Sequence, residues 1–317
     1  MATTASQQHR SLLSTDDLTD AELRAVIDRG TEYSAGRAGR TPALAGDIVG
    51  VYFRMTSTRT RTAFSAGALR LGAQIIAYGP DDLQINTGES VEDTGRVFAR
   101  MVDVIVARTG RPQRELAAWA GTGGLSVVNA MTAEEHPTQA LTDLTTLKGR
   151  FGQVEGLRVV YVGEGNNTAA ALALTLPRFP GVEFELRTPP GFGLTEEIRA
   201  RAEEHARTSG ASFVERHDMD ALPRDTDVFY TTRWQTTGTS KPDPHWRDVF
   251  APFQVTSGLW EHSPKAVFMH DLPAHRGDEV TADVLDGPMS IALDQAENKM
   301  HSAMAVLEWC RGGESSA

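Results

Sequence analysis

Two arginines and three hydroxyls occupy five consecutive positions, Ser57-Thr58-Arg59-Thr60-Arg61, between an apolar run and a segment of helical spacing. A helix start offers unpaired backbone N–H groups and the positive end of the helix dipole, which suits a phosphate. Hydroxyls add donors, and a guanidinium grips two phosphate oxygens in a planar fork. With no anion the segment reads as an N-cap followed by solvated arginines. Cations in a first turn oppose the dipole, and a bound anion explains that placement better. Arg108 and the pair His136 and Gln139 recur where two further apolar runs end. Alone, His136 reads as a structural histidine; beside two basic groups at matching positions it reads as part of a site for a phosphate or phosphoryl-like substrate. No Gly-rich Walker loop and no evident Asp/Glu pair for magnesium accompany these groups, so the expected ligand is a phosphorylated small molecule that needs no metal.

The second half of the chain holds three more polar groupings. Gly163-Glu164-Gly165-Asn166-Asn167 superficially resembles a dinucleotide loop, but Thr168 replaces the third glycine, and a tight turn with an Asn cap explains it equally well. Thr231-Thr232-Arg233-Trp234-Gln235 and His270-Asp271-Leu272-Pro273 each follow an apolar run. Between them the polar segment 236–244, with Gly238, Pro242 and Pro244, has the composition of a mobile lid.

These groups need elements to hold them. The run at 47–53 predicts a buried strand, and those at 73–78, 103–107 and 126–130 predict further strands. Phe64, Ala68 and Leu71, then Val91, Thr94, Phe98 and Met101, then Leu141, Leu144 and Leu147, have helical spacing. The pattern restarts near residue 150, with strands expected at 157–162, 182–186, 212–215, 227–231 and 266–269 and helices at 169–176 and 195–205. The fold class is therefore α/β, with two domains, each a parallel sheet flanked by helices. The domains are expected at 1–149 and 150–293, with a C-terminal helix of about 294–311 packing back on the first. Ligands of open parallel sheets sit beyond the carboxyl ends of the strands, so all the polar groups above should face one crevice between the domains.

Composition narrows the class. The 317 residues carry 31 Lys+Arg against 42 Asp+Glu, a net charge of −11, which argues against a nucleic-acid partner. At 40% hydrophobic and 23% charged the chain is globular rather than disordered. A single cysteine, Cys310, excludes an intramolecular disulfide framework and a Cys-rich metal site. No apolar run approaches the roughly 20 residues of a membrane span. A cytoplasmic enzyme with no membrane association, metal or cofactor is the expectation.

Taken together, Ser-Thr-Arg-Thr-Arg at 57–61, His-Pro-Thr-Gln at 136–139, Tyr-Val-Gly-Glu-Gly-Asn-Asn at 161–167, His-Asp-Leu-Pro at 270–273 and Asp-Gln-Ala-Glu-Asn-Lys at 294–299 resemble the aspartate/ornithine carbamoyltransferase family. His275-Arg276-Gly277-Asp278-Glu279-Val280 and the C-terminal segment look more like the ornithine branch. The resemblance implies transfer of a carbamoyl group from carbamoyl phosphate to an amine, with release of phosphate and no covalent enzyme intermediate. It makes 1–149 the carbamoyl phosphate domain and 150–293 the acceptor domain. Ser57, Thr58, Arg59, Thr60 and Arg108 would then hold the phosphate, while Thr60, Arg108 and His136 donate towards the carbonyl oxygen. Gln139 and the backbone at Leu272-Pro273 would accept from the carbamoyl NH2. Gln84 matches a residue that the family lends to a neighbouring subunit, which implies a homotrimer with active sites at subunit interfaces.

The departures from the ornithine pattern gather on the acceptor side. Asn167 stands where that branch grips the amino acid carboxylate. The branch has Asp, which holds the α-ammonium, where Thr232 stands, Cys where Asp271 stands, and Ser-Met-Gly where Thr236-Thr237-Gly238 stands. It has Arg where Lys299 stands, which keeps the charge and loses the fork. Thr232-Arg233-x-Gln235 resembles instead the aspartate branch, where Arg and Gln hold the acceptor's carboxylate. The expected acceptor is an amine of an amino acid, ornithine-like or a shorter diamino acid, with Asp271 pairing with its ammonium or taking its proton; true ornithine carbamoyl transfer is the alternative. Two other classes stay open: a nicotinamide-dependent dehydrogenase built on Gly163–Asn167, and a non-catalytic phosphate-binding paralogue.

Overall fold

The computed structural model describes residues 9–39, 42–236 and 238–312. Two parallel sheets organise the chain, as the alternating pattern predicts. The chain divides into two compact units, the first taking the residues up to Gly149 and those from Glu297 on, the second running Arg150–Ala296. Among the described residues no helix is long and apolar enough to cross a membrane.

In the first unit, α1 (Asp20–Ser34) leads to β1 (Ile48–Phe53), α2 (Arg59–Arg70), β2 (Gln74–Tyr78), α3 (Val91–Phe98), β3 (Val104–Arg108), α4 (Arg114–Ala120), β4 (Ser126–Asn129) and α5 (Pro137–Phe151). Sheet order is β2-β1-β3-β4, all parallel. β1 is therefore followed in sequence by a neighbour on one side and then by β3 on the other. That reversal opens a crevice at the carboxyl ends of β1 and β3. Val49, Val51, Val104, Ile105, Val106, Val127 and Val128 are fully buried, consistent with helices on both faces. α3 ends at Phe98, whose carbonyl takes both Met101 N and Val102 N, so Met101 leaves the expected helical stripe and is exposed.

The second unit contains β5 (Arg158–Val162), α6 (Asn167–Thr175), β6 (Glu183–Arg187), α7 (Glu196–Ser209), β7 (Ser212–Arg216), β8 (Val228–Thr231), α8 (Trp246–Phe250), β9 (Val267–His270) and α9 (Ala282–Leu285). Its order, β7-β6-β5-β8-β9, again all parallel, puts the reversal between β5 and β8. The last helix, α10 (Ala292–Cys310), spans the division, and its residues from Glu297 on pack in the first unit. There Gly67 of α2 lets α10 come close, since a Cβ on it would stand 3.1 Å from Met304 Cγ. At the far end, Arg311 sends Nε and Nη2 to the carboxylate of Asp47, at 2.8 and 3.0 Å, and Nη2 to Asp103 at 3.3 Å.

Candidate active site

The phosphate-type segment lies at the first unit's reversal. Arg59 opens α2, with Thr58 as its N-cap; the Thr58 side chain makes no capping bond and no acid lies in the first turn. Those N–H groups and the Arg59 side chain form a cationic helix start, and Thr60 behind them is buried. Arg108 ends β3, paired in register with Phe53 at the end of β1. Its carbonyl receives Arg54 N at 3.0 Å, which folds the chain leaving β1 back towards it.

His136 is positioned by the connection from β4 to α5. Pro137 occupies the first helical position, where a missing N–H costs nothing. Glu135, fully buried, receives the backbone and hydroxyl of Thr15 at 2.8 and 2.7 Å, and burial pushes its carboxyl up. Met131 O receives Thr109 N and Gly110 N, tying this loop to the segment that follows Arg108. The result brings Arg108 Nη1 to 3.3 Å from His136 Nε2, and Thr138 Oγ1 to 3.3 Å from His136 Nδ1. Burial, followed by the Arg108 and Lys299 charges, holds the imidazole well below the usual histidine range, so it is neutral at pH 7. A guanidinium only donates, so Nε2 accepts here and the proton sits on Nδ1, facing Thr138. The Thr138 hydroxyl both donates and accepts, so it serves the opposite tautomer equally well, in which Nε2 donates.

Lys299 and Gln139 are the remaining members of this group. Lys299 Nζ donates to Gln139 Oε1, while Gln139 Nε2 donates to the buried Asp143 at 2.8 Å. The amide is thereby oriented, and its carbonyl oxygen retains a second lone pair. Thr60, His136, Thr138 and Lys299 share a small cavity with Phe64 and Thr142. Gln84 lies apart from them in a short exposed turn, its Oε1 taking the Thr87 hydroxyl at 2.7 Å.

The second unit's polar groups also meet at its reversal. Asn166 caps α6, its Oδ1 receiving Thr168 N and Ala169 N, and Asn167 is buried as the first helical residue. Gly165 is required there, because a Cβ would lie 2.4 Å from the Gly193 carbonyl carbon. Asn166 Nδ2 reaches Thr232 Oγ1 at 3.0 Å and Thr236 Oγ1 at 3.3 Å. Tyr161, whose phenol burial pushes well above its ordinary range, donates to Glu164 O at 2.7 Å and lies 3.2 Å from Thr232 Oγ1. With the phenolic proton spent on Glu164, Thr232 donates to Tyr161 and accepts from Asn166. Thr232 is a fastener and carries no charge.

Negative charge stands instead at the end of β9. Asp271, partly exposed, receives the Thr168 hydroxyl at 3.1 Å. Behind it His270 Nδ1 accepts from Leu272 N at 2.8 Å, so the proton on Nε2 faces Glu279, 3.1 Å away. Arg233 and Gln235 each make one local bond, Arg233 Nε to Gln235 O and Gln235 Nε2 to Thr239 O, both at 2.6 Å. The two Nη groups that would form the expected carboxylate fork carry no hydrogen bond among the described residues, so the local bond orients Arg233 without occupying its fork. Thr237 lies outside the described residues. Sequence reasoning missed Thr138, Lys241 and the reach of Asn166 to Thr232 and Thr236, though it read an Asn cap at that turn. Asn166 was signalled by its place before a helix, Thr138 by its position between His136 and Gln139, and Lys241 by nothing local. The unit has no further glycine at the dinucleotide position, where Thr168 is instead bonded to Asp271.

A cationic, hydroxyl-rich group at one sheet reversal and an amide- and carboxylate-bearing cluster at the other are the pattern of an α/β transferase. Comparison with known proteins makes this specific. Residues 10–149 match the carbamoyl-P binding domain of aspartate/ornithine carbamoyltransferases, and 155–310 match the Asp/Orn binding domain. The ornithine carbamoyltransferase of Gloeobacter violaceus is 38% identical over 303 residues, covering 95% of this chain and 96% of that protein. The solved ornithine carbamoyltransferase of Pyrococcus furiosus superposes with a TM-score of 0.91 at 36% identity, covering 98% of this chain and 100% of the other. That of Gloeobacter violaceus gives 0.85 at 35%, covering 97% and 100%. The chain belongs to the aspartate/ornithine carbamoyltransferase family, on its ornithine branch, and is a carbamoyltransferase.

Proposed function

We propose that this enzyme carbamoylates an amine of an amino acid other than ornithine, a shorter diamino acid being the best fit, to give a ureido product and phosphate. The observation that carries this is the location of the acceptor-side charge. Thr232, with its hydroxyl committed to Tyr161 and Asn166, offers an α-ammonium no anion, whereas Asp271 presents a carboxylate one strand further along the sheet. An acceptor gripped through Asn167 and met by Asp271 has its charged groups arranged differently from ornithine in the pattern of its branch.

In this reading Ser57, Thr58, Arg59, Thr60 and Arg108 hold the phosphate and neutralise it as it leaves. Thr60, Arg108 and His136 donate to the carbonyl oxygen: Arg108 turns from Nε2 to that oxygen, and His136 takes the neutral Nε2–H tautomer that Thr138 can support. Gln139 and Leu272 O accept from the carbamoyl NH2, with Lys299 and Asp143 fixing the Gln139 amide. Asp271 takes the proton from the acceptor ammonium. The free amine nitrogen bonds to the carbonyl carbon, and collapse of the tetrahedral intermediate breaks the carbon–oxygen bond to phosphate, which leaves with the electron pair and takes the remaining proton from the attacking nitrogen. The groups position and polarise throughout. Gln84, exposed in its turn, and the exposed apolar side chains Leu69, Ile76, Val97 and Met101 support a homotrimer in which Gln84 completes a neighbour's site.

Phosphate release with carbamoyl phosphate and a panel of amines, from 2,3-diaminopropionate through ornithine to lysine, tests the proposal. A shorter diamino acid should give the highest kcat/KM. A strong preference for ornithine over every other amine overturns the acceptor assignment and leaves carbamoyl transfer standing.

A further inference from the structure

We propose that Lys241 is a positioning residue that latches the loop after β8 onto the turn after β5 and so sets the acceptor subsite; this rests on reading those two segments as acceptor-binding. Lys241 lies in the stretch whose Gly and Pro content suggests a mobile lid, yet its side chain is only 6% exposed. Its Nζ donates to Glu164 Oε1 at 2.7 Å. The rings of Phe192, Trp246 and Phe250 stand 5.2, 5.3 and 5.1 Å from the same ammonium, within cation–π range. Trp234, from the start of the loop, packs on Phe250 at 5.6 Å, so the loop closes over the box that receives its own lysine.

Glu164 is part of the turn that delivers Asn166 and Asn167. Its backbone carbonyl holds Tyr161, and Asn166 reaches back to Thr232 and Thr236. Lys241 is thus the distal attachment of a loop whose near end is fastened to the same turn. Releasing it leaves Thr236 and Thr239, among the described residues, held by neutral hydrogen bonds.

The pair is a poor device for stability. Both groups are largely removed from water, and Glu164 Oε2 is buried with no hydrogen-bond partner among the described residues. Replacing such a pair member by an apolar side chain of similar shape in an aromatic box is commonly neutral or better once its partner is also neutralised. What the pair supplies is register: one donor and one acceptor that meet in a single loop position.

The test compares Lys241→Met/Glu164→Gln, Lys241→Arg and wild-type enzyme by hydrogen exchange across 232–246, thermal unfolding and steady-state kinetics. In the double variant Tm should hold, exchange in 232–246 should speed up about tenfold or more, and acceptor kcat/KM should fall about 10- to 100-fold. The KM for carbamoyl phosphate should not change, and Lys241→Arg should recover part of the loss. Unchanged exchange in the double variant overturns the latch whatever the turnover. Faster exchange with unchanged acceptor kcat/KM overturns its link to the acceptor subsite. A fall in Tm with exchange rising throughout the unit assigns the pair to structure and also overturns the proposal. Failure of the acceptor reading shows separately, as wild-type phosphate release that does not depend on any amino acid amine, and the exchange result still decides the latch.

Discussion

Replacing His136 by asparagine isolates the oxyanion contribution. The imidazole is neutral, because burial and the Arg108 and Lys299 charges hold its pKa well below the ordinary histidine value. It therefore acts as a dipolar donor rather than a cation. Losing one well-aimed oxyanion donor costs about 3–4 kcal/mol of barrier, or about 100- to 1000-fold in kcat. Binding of carbamoyl phosphate should weaken by less than about tenfold, since in the proposed reading the phosphate is held by the helix start at Thr58–Thr60 and by Arg108. The side chain borders a small cavity that asparagine enlarges, which costs about 1–2 kcal/mol of stability. The assays are phosphate release at saturating amine, and calorimetric titration with carbamoyl phosphate. An intact kcat, or a kcat loss matched by an equal loss of binding, refutes the oxyanion role. Thr138→Val supplies the companion measurement: one neutral hydrogen bond to Nδ1 is worth about 1 kcal/mol, so kcat should fall about fivefold and Thr138→Ser should restore it.

Other outcomes follow from the same geometry. His136 has a lower pKa folded than unfolded, so below about pH 6.5 the unfolded chain binds a proton that the folded chain refuses, and stability falls with pH through that window. Urea titrations between pH 7 and pH 5 should show His136→Asn losing less stability than wild type. Arg311→Met strands the Asp47 and Asp103 carboxylates and should cost about 3–5 kcal/mol, read as a Tm lowered by about 10 °C. Cys310, buried and with its thiol pushed up to about 12, should not react with a thiol reagent until the protein unfolds. Mixing Gln84→Ala with His136→Asn subunits after dissociation and reassembly should restore activity above that of either variant if Gln84 serves a neighbour's site; no recovery counts against shared sites.

Strands β1, β3, β5, β8 and β9 were legible as largely apolar runs leading into polar residues, whereas β2, β6 and β7 mix apolar and polar positions. Helix α1 was not read, although its signal was present: Thr19 and Glu22 form a reciprocal cap before Leu23, Val26, Ile27 and Gly30, all buried. Its mixed composition hid the apolar stripe. Met101 shows the opposite error, a correct spacing extended beyond the point where the chain turns off Phe98. Within the site, residue types could be read and their partners could not. Gln139 being held between Lys299 and Asp143 depends on α10 returning to the first unit, a contact between positions 160 residues apart in the chain. Arg233 and Gln235 have the identities of a carboxylate clamp, and the bonds that orient them, Arg233 Nε to Gln235 O and Gln235 Nε2 to Thr239 O, are encoded by no local pattern.

The distribution of change across the molecule is itself an argument about specificity. Every group expected to meet the phosphate or the carbonyl belongs to the first unit, where the pocket combines a helix start, two cations and a neutral imidazole. A mixed anhydride of carbamate and phosphate demands that set whatever amine attacks it. The acceptor side has different constraints: its one fixed requirement is a group that removes a proton from an ammonium, and any carboxylate within reach meets it. In the proposed reading, a carboxylate at the end of β9, with the neutral Thr232 at the end of β8, changes which amine is addressed without touching the chemistry of the leaving phosphate. Asp271→Asn should therefore depress kcat most at low pH, where the acceptor amine is most protonated, and recover towards wild type as pH approaches the amine's own pKa. A uniform loss across pH would mean that Asp271 binds the acceptor but does not take its proton.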